Sequence, residues 1–327
     1  MLFRSDRLAI TITGIDDYGH CIRRTETRRL CYSACMQTLN IIGCGRVGRT
    51  LARLWHEGGV FTIGAINDRT ADKSRAAVAF IGGGRACAEI AAMRAADCWL
   101  LATTDDCISN ACDELAAGRQ LAAGNIVFHC SGALPSTVLK AAVARGAHVA
   151  SVHPLKTFAD PAVAAKNFAG TPCTAEGDAA ALAVLRPTFE NIGAAVFEID
   201  AAAKTLYHAG SVIVCNYLTA LLETGLRTFE SAGVARADAN RMMEPLVRET
   251  LDNVFRLGPA RALTGPIARG DLAVVQRQIA ALAAADPRLE AVYRSLGVIA
   301  ADIANTGGNF DSTALAAMTA LLQDRRK

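Results

Sequence analysis

The stretch from Asn40 to Trp55, NIIGCGRVGRTLARLW, constrains the fold of this chain more than any other. An apolar run, Thr38 to Ile42, gives way to G-x-G-x-x-G, and apolar residues then recur at Val47, Leu51, Leu54 and Trp55. That spacing reads as strand, tight turn, helix. The three glycines serve different ends. Gly43 turns the chain, Gly45 lets the backbone approach a pyrophosphate, and Gly48 lets helix pack closely on strand. The N–H groups and dipole of the new helix, opening at Arg46 and Val47, then face the phosphates. Glycine turns also serve packing alone, but a strand before and an amphipathic helix after favour nucleotide binding.

From Met36 to about Asp200, short apolar runs alternate with helical patterns. The runs Thr38–Ile42, Val60–Ile66, Cys98–Ala102, Ile126–Cys130, Ala147–Val152 and Ala195–Ile199 read as strands, and Asp72–Phe80 and Pro135–Ala144 as helical stretches. This rhythm predicts an α/β fold with a doubly wound, mostly parallel sheet of the Rossmann type. After Asp200 the pattern changes: residues 201–232, 237–257, 271–285 and 287–305 all read as helices. Three regions are expected: an extension over 1–35, a Rossmann nucleotide domain over 36–200, and an all-α domain over 201–327. The extension carries Cys21, Cys31 and Cys35 without a sustained apolar period and lacks the apolar core of a signal peptide. Met36, directly before the first strand, reads as a sufficient start, so residues 1–35 are expected to be disordered or a mis-assigned start.

Composition excludes several classes. The 327 residues carry a net charge of +3 with acids and bases interspersed, which is no nucleic-acid signature. No apolar run reads as reaching the roughly 18 residues needed to span a bilayer, so a soluble, cytoplasmic protein without membrane contact is expected. The eleven cysteines show no metal-like spacing, so no metal is expected. Cys44, Cys98 and Cys215 fall inside apolar patterns, where cysteine acts as a small hydrophobe.

In parallel sheets ligands gather at the carboxyl ends of the strands. Those ends here are the glycine turn, then Asn67-Asp68-Arg69-Thr70, Thr103-Thr104-Asp105-Asp106, His129-Cys130-Ser131-Gly132 and His153-Pro154-Leu155-Lys156. Any one of them could be a helix cap or loop; Ser131 and Asp105 in particular could be just that. Five polar or titratable strand ends above apolar strand interiors point together to a cleft, with His129, Ser131 and His153 on one side and Asn67, Arg69, Thr70, Thr103, Thr104 and Asp105 around the nucleotide. Cofactor choice turns on the second end. An acid about 20 residues after the glycines suits the ribose of NAD, whereas a nearby arginine suits the 2′-phosphate of NADP. Both are present as Asp68 and Arg69, and the reading favours NADP(H), with Lys73 and Ser74 close by.

The helical region offers Lys204 and His208. At about 100° per residue these fall on one face with Ser211 and Cys215. A lysine ammonium there could hydrogen-bond a carbonyl oxygen and protonate the developing alkoxide, with His208 orienting the substrate. The alternative is a lysine snorkelling at a helix start and a satisfied core histidine.

Five segments, Ile42–Gly48, FHCSGA from Phe128, SVHPLKTF from Ser151, Lys204–Asn216 and LTGPIARGD from Leu263, resemble those of a bacterial family joining a Rossmann-like domain to a C-terminal domain of unknown function. The family is similar in architecture to the 6-phosphogluconate dehydrogenase, 3-hydroxyisobutyrate dehydrogenase, ketopantoate reductase and pyrroline-5-carboxylate reductase group. The resemblance implies a 6-phosphogluconate-dehydrogenase-like helical domain and a homodimer built through it. It also implies a catalytic lysine on the first long helix, matched by Lys204; His208 stands where several of those enzymes have Asn. Some members serve as alternative ketopantoate reductases, which implies NADPH-dependent reduction of a small 2-oxo acid, with His153, Lys156 or Arg269 available to a carboxylate. Asp271 reads as the cap of the helix starting at Leu272. Rival readings are a prephenate- or imine-type dehydrogenase, with His129 or His153 as its key histidine, and an NADP(H)-binding sensor without turnover.

Overall fold

A computed structural model describes residues 10–15, 21–26, 36–307 and 312–324. The chain divides into two compact units, one ending at Gly210 and one beginning at Ser211. The first unit therefore takes in Lys204 and His208.

Strands β1 (Ile10–Ile15) and β2 (Cys21–Glu26) form an antiparallel pair within the segment expected to be an unstructured extension. The rest of that segment, with Cys31 and Cys35, lies outside the described residues. An eight-stranded sheet follows, built from β3 (Thr38–Ile42), β4 (Thr62–Asn67), β5 (Arg85–Cys87), β6 (Cys98–Leu101), β7 (Ile126–His129), β8 (His148–Pro154), β9 (Pro172–Gly177) and β10 (Ala195–Glu198). Its order is β10-β9-β8-β7-β6-β3-β4-β5, parallel at every pairing except β8 with β9. Helices α1 (Arg46–Glu57), α2 (Ala71–Ile81), α3 (Asp105–Ala117), α4 (Lys140–Ala144), α5 (Pro161–Lys166) and α6 (Ala179–Asn191) complete the unit.

The pleat of the strands decides what each face does. One face, with Leu39, Leu100, Phe128, Val152 and Ala175, packs against Trp55 of α1 and Phe189 of α6. Trp55 meets Phe61, Phe128 and Phe189 edge-on and donates its indole N–H to the Thr188 carbonyl at 3.0 Å. Each such aromatic pair adds roughly 0.5–1.5 kcal/mol beyond burial. The other face, with Trp99, Leu101, Val127 and Val149, packs against Ile108, Cys112 and Leu115 of α3 and Ala142 of α4. Followed two residues further, that second face turns polar: His129 after Val127, then Ser151 and His153 after Val149. On β9 the same face carries Thr174 and Glu176, whose partners across the ladder are His153 and Ser151.

Strand order reverses between β3 and β6, since β3 leads through α1 to β4 on one side while β6 flanks it on the other. The crevice outside the carboxyl ends at such a reversal is where open α/β sheets bind ligands.

The second unit is helical. It takes in most of α7 (Lys204–Ser231), with α8 (Arg236–Leu257), α9 (Pro259–Ala262), α10 (Leu272–Ala285), α11 (Pro287–Thr306) and α12 (Ser312–Gln323). Its core is Val275, Ile279, Ala301, Met318 and Leu322. Asp271 accepts from the Val274 N–H, as its place before Leu272 predicts. Two expectations are corrected. Residues 201–231 do form a helix long and apolar enough to cross a membrane by length and composition, with mean hydropathy 1.3 over its best window, of which only 6 % is buried. Counting uninterrupted apolar residues overlooks it because isolated polar residues such as His208 and Asn216 interrupt the run. Cys215, on the same helix, is exposed rather than packed as a small hydrophobe, whereas Cys44 and Cys98 are fully buried.

Candidate active site

The glycine turn is built as the sequence demands. Gly43 has φ of 76°, and a Cβ there would meet Thr103 at 2.7 Å, so only glycine fits. A Cβ on Gly48 would strike Ala102 at 2.9 Å, which is the close approach of α1 to the end of β6. Above Gly45 there is open space, and α1 starts with neither a side-chain cap nor an acid in its first turn. The N–H groups around Arg46 and Val47 therefore stand ready for an anion.

Asp68 faces this turn. One carboxylate oxygen accepts from the Cys44 N–H at 3.1 Å and the other from the Arg69 N–H at 2.7 Å. Both oxygens are thus engaged by backbone, while Arg69 and Lys73 are exposed beside them. Thr70 is used as the cap of α2, accepting from Lys73 N–H. Asn67 ties β4 to β5 by donating to the Cys87 and Ala88 carbonyls, and its own carbonyl accepts from Gly43. Thr103 bonds the Thr104 carbonyl, and Thr104 opens α3 without a side-chain cap bond. Asp105 accepts from the Ser131 hydroxyl at 2.8 Å, fastening the β7 end to α3.

The polar face of β7, β8 and β9 meets the first turn of α7. Two rows are stacked there. The inner row is His129, Ser151 and Glu176, in register across three strands, with Lys204 over it. The Lys204 ammonium donates to the Ser131 carbonyl at 2.9 Å and to the Ser151 hydroxyl at 2.5 Å, and lies 3.7 Å from a Glu176 oxygen. Lys204 and Glu176 are 1 % and 4 % exposed. Burial pulls the lysine pKa down, and the Glu176 carboxylate works against that fall. Glu176 is held by Ser136, whose N–H and hydroxyl each donate to one oxygen at 2.7 Å.

His129 is fully buried. Its Nε2 lies 3.3 Å from the Pro135 carbonyl, which only accepts, and its Nδ1 faces the Ser131 N–H, which only donates. These partners assign the neutral ring with the proton on Nε2. Burial, and then the Lys204 charge, push its pKa down to about 4. Ser131 accepts from the Ala133 and Leu134 N–H groups, so its hydroxyl shapes the loop as well as bonding Asp105.

The outer row is His153 and Thr174, with His208 one helical turn beyond Lys204. The rings of His153 and His208 meet edge-on at 5.7 Å, and His153 Nδ1 lies 3.3 Å from the Tyr207 hydroxyl. Burial, Lys204 and His208 together push the His153 pKa to about 4. Two buried polar atoms here lack any hydrogen-bond partner: His208 Nδ1 and Thr174 Oγ1. Unlike Trp99 Nε1, a third such atom that lies in the hydrophobic core, these two sit beside the polar row and have capacity for a further hydrogen bond. Gly132 leaves room for them, since a Cβ there would meet His208 Nδ1 at 2.4 Å and His153 at 2.9 Å. Lys156 lies apart, bonded to the Asn167 carbonyl.

All five residues expected to be catalytic, Lys204, His208, His129, Ser131 and His153, are brought together in the first unit. Glu176, Ser151 and Thr174 are the additions. The alternation of Cys173 and Ala175 with Thr174 and Glu176 was the signal for two of them, in a strand without an apolar run, and Ser151 follows Val149 on the polar face of β8.

Residues 8–154 match the family described as a Rossmann-like domain, and residues 171–299 match a domain of unknown function, DUF2520. The chain thus carries a Rossmann-like domain followed by a DUF2520 domain. No curated protein sequence matches it. Among solved structures it is similar to a protein from Thermotoga maritima, with 24 % identity and a TM-score of 0.65 over 82 % of this chain and 98 % of that one. It is also similar to a reductive aminase from Aspergillus terreus crystallised with NADPH and ethyl levulinate (19 % identity, TM-score 0.59, 89 % and 100 % covered). An imine reductase from Myxococcus stipitatus in complex with NADP+ gives 17 % identity and a TM-score of 0.61 over 86 % and 99 %. At these identities the likeness is one of fold.

Proposed function

We propose that the protein is an NADP(H)-dependent oxidoreductase that reduces a C=O or C=N group of a small molecule. The observation that carries this reading is the Lys204 ammonium, buried across the ends of β7 and β8. The end of β7 is two strand positions from the glycine turn of β3, or about 10 Å at ordinary strand spacing. A nucleotide-binding turn and a buried proton donor so near each other suit hydride transfer with protonation; a sensor needs no such donor. The NADP-binding neighbours of the same fold support the cofactor.

Open space over Gly45, the uncapped start of α1 and the exposed Arg69 fit a dinucleotide phosphate. Asp68 has one bond on each oxygen from backbone N–H groups, while Arg69 and Lys73 stand exposed beside it, and the two cations favour NADP over NAD. Arg46, Val47, Thr103 and Thr104 would line the remainder. The bound nicotinamide supplies the hydride. Two of the three Lys204 N–H directions are set by the Ser131 carbonyl and Ser151 hydroxyl; the third, 3.7 Å from Glu176, is the one a substrate oxygen or nitrogen takes. His208 and Thr174 hold the substrate through their unpaired atoms, with His153 beside them, and His129 orients Ser151 as a neutral acceptor.

Within this class the best substrate is a 2-oxo acid, ketopantoate first, on the strength of the family resemblance. The second reading is reduction of an imine, which the Lys204–Glu176 pairing favours because the ammonium charge is already balanced and leaves less attraction for a substrate carboxylate. Exposed Val214, Tyr217, Leu246 and Phe255 in the helical unit suit burial against a second copy, giving a homodimer. The described cysteines are all free thiols, which suits the cytoplasm. The test is loss of the NADPH absorbance band with ketopantoate, other 2-oxo acids, prephenate and pyrroline carboxylate, with NADH in parallel.

A further inference from the structure

If Lys204 is the proton donor, its enclosure raises a second question: how the lysine regains its proton. Each turnover leaves it as a neutral amine, and at 1 % exposure it meets no bulk water. Its contacts can be followed one by one. The Ser131 carbonyl carries no proton. The Ser151 hydroxyl leads to His129 at 3.3 Å, and that ring is fully buried with its other nitrogen on the Pro135 carbonyl, a dead end. Glu176 is different: its side chain is itself only 3 % exposed, but the residue lines an open groove of about 640 Å³ together with Ser136, Thr137, Lys140, Glu198 and Ala201, and the Ser136 hydroxyl on its second oxygen lines the same groove.

We propose that Glu176 is the relay through which Lys204 is reprotonated after product leaves, taking protons from water in this groove and passing them to the Nζ position that gave its proton to the substrate. The balance is simple. Lys204 Nζ loses one proton to the substrate heteroatom as the hydride reaches carbon. A hydronium in the groove then gives a proton to a Glu176 oxygen, and that proton passes to the Lys204 lone pair, restoring ammonium and carboxylate. The other titratable groups facing Lys204 are Asp105 from α3, His129 and Cys130 from the end of β7, and His153 from β8; His208 lies on its own helix. Asp105 is engaged by Ser131 and the histidines are held neutral by burial, so none replaces the Glu176 path.

The test is Glu176→Gln, which retains an acceptor for the Ser136 N–H but carries no exchangeable acid. Rapid mixing with NADPH and ketopantoate, or pyrroline carboxylate if only that is reduced, reads the first and later turnovers separately. Because the Glu176 carboxylate also supports the Lys204 charge, both phases slow in this variant, and the reading is their ratio: the steady phase should slow about 100-fold more than the first turnover, the low end of what positioned proton transfer contributes. Formate, small enough for the groove, should restore the steady phase. Equal slowing of first and later turnovers, or no slowing, would overturn the relay while leaving the functional reading intact. A wild type silent on every substrate would remove both. Should Glu176→Gln not fold, Thr137→Trp fills the groove from an exposed position; it should slow the steady phase and spare the first turnover, and an unchanged steady phase would count against the relay.

Discussion

Removing the Lys204 ammonium without removing Glu176 should cost the protein more stability than any surface change. In Lys204→Met the Glu176 carboxylate, 4 % exposed, keeps its two Ser136 bonds but loses its only nearby counter-charge among the described residues. Breaking a buried pair in this way costs about 3–5 kcal/mol because a charge is left uncompensated. For a unit of this size each kcal/mol moves Tm by roughly 2–4 °C, so a fall of roughly 6–20 °C is expected. The double variant Lys204→Met/Glu176→Gln removes both charges and should recover most of that loss. Thermal unfolding by circular dichroism on wild type, both single variants and the double variant closes the cycle. A coupling energy of at least about 2 kcal/mol is expected between the two sites. Additive single-variant effects, or a loss under about 1 kcal/mol for Lys204→Met, would refute the pairing as a stabilising contact.

Other expectations follow from the same contacts. Arg69→Ala should weaken NADPH binding about tenfold and leave NADH nearly unchanged, as isothermal titration would read; equal loss for both would dissociate Arg69 from the 2′-phosphate. Asp68→Asn should weaken both cofactors together, because Asp68 holds the Cys44 N–H of the glycine turn rather than a ribose. Gly132→Ala should lower turnover while preserving NADPH affinity, since its methyl would displace His208 and His153. His129 should make stability pH-dependent. Its pKa falls from 6.5 to about 4 on folding, so the unfolded chain binds the extra proton first. Stability is full above pH 6.5 and declines toward pH 4, by about 3 kcal/mol in all; His129→Gln should flatten that part of the profile in urea titrations.

Much of the fold and site is legible in the residues. G-x-G-x-x-G between an apolar run and an amphipathic pattern places β3 and α1, and polar strand ends above apolar interiors locate the cleft. Lys204 and His208 stand out because residues four apart on a helix share a face. What escapes are short elements and partners distant in sequence. β5 is too brief for periodicity to separate from loop, and β9, PCTAEG, alternates polar and small residues between Pro172 and Gly177 with no apolar run; it also runs antiparallel to β8 where a parallel rhythm is expected. Glu176 is therefore hidden in the sequence, although it lies directly opposite Ser151. Nor can spacing reveal that Asp68 is used by Cys44 and Arg69, or that His129 is sealed by Pro135; both are consequences of tertiary closure. α7 is recognisable as a helix, but its apolar character is easily underestimated because polar residues spaced along it break the run without changing its average.

The most direct measurement is NADPH oxidation by wild type and by Lys204→Met across the 2-oxo acid and imine panel, with NADPH affinity determined for both proteins. Turnover by the wild type with at least one substrate is expected, and its loss in the variant while NADPH still binds. Tight NADPH binding with no turnover on any substrate, or undiminished turnover in Lys204→Met, would contradict the assignment of Lys204 as proton donor in a reductase.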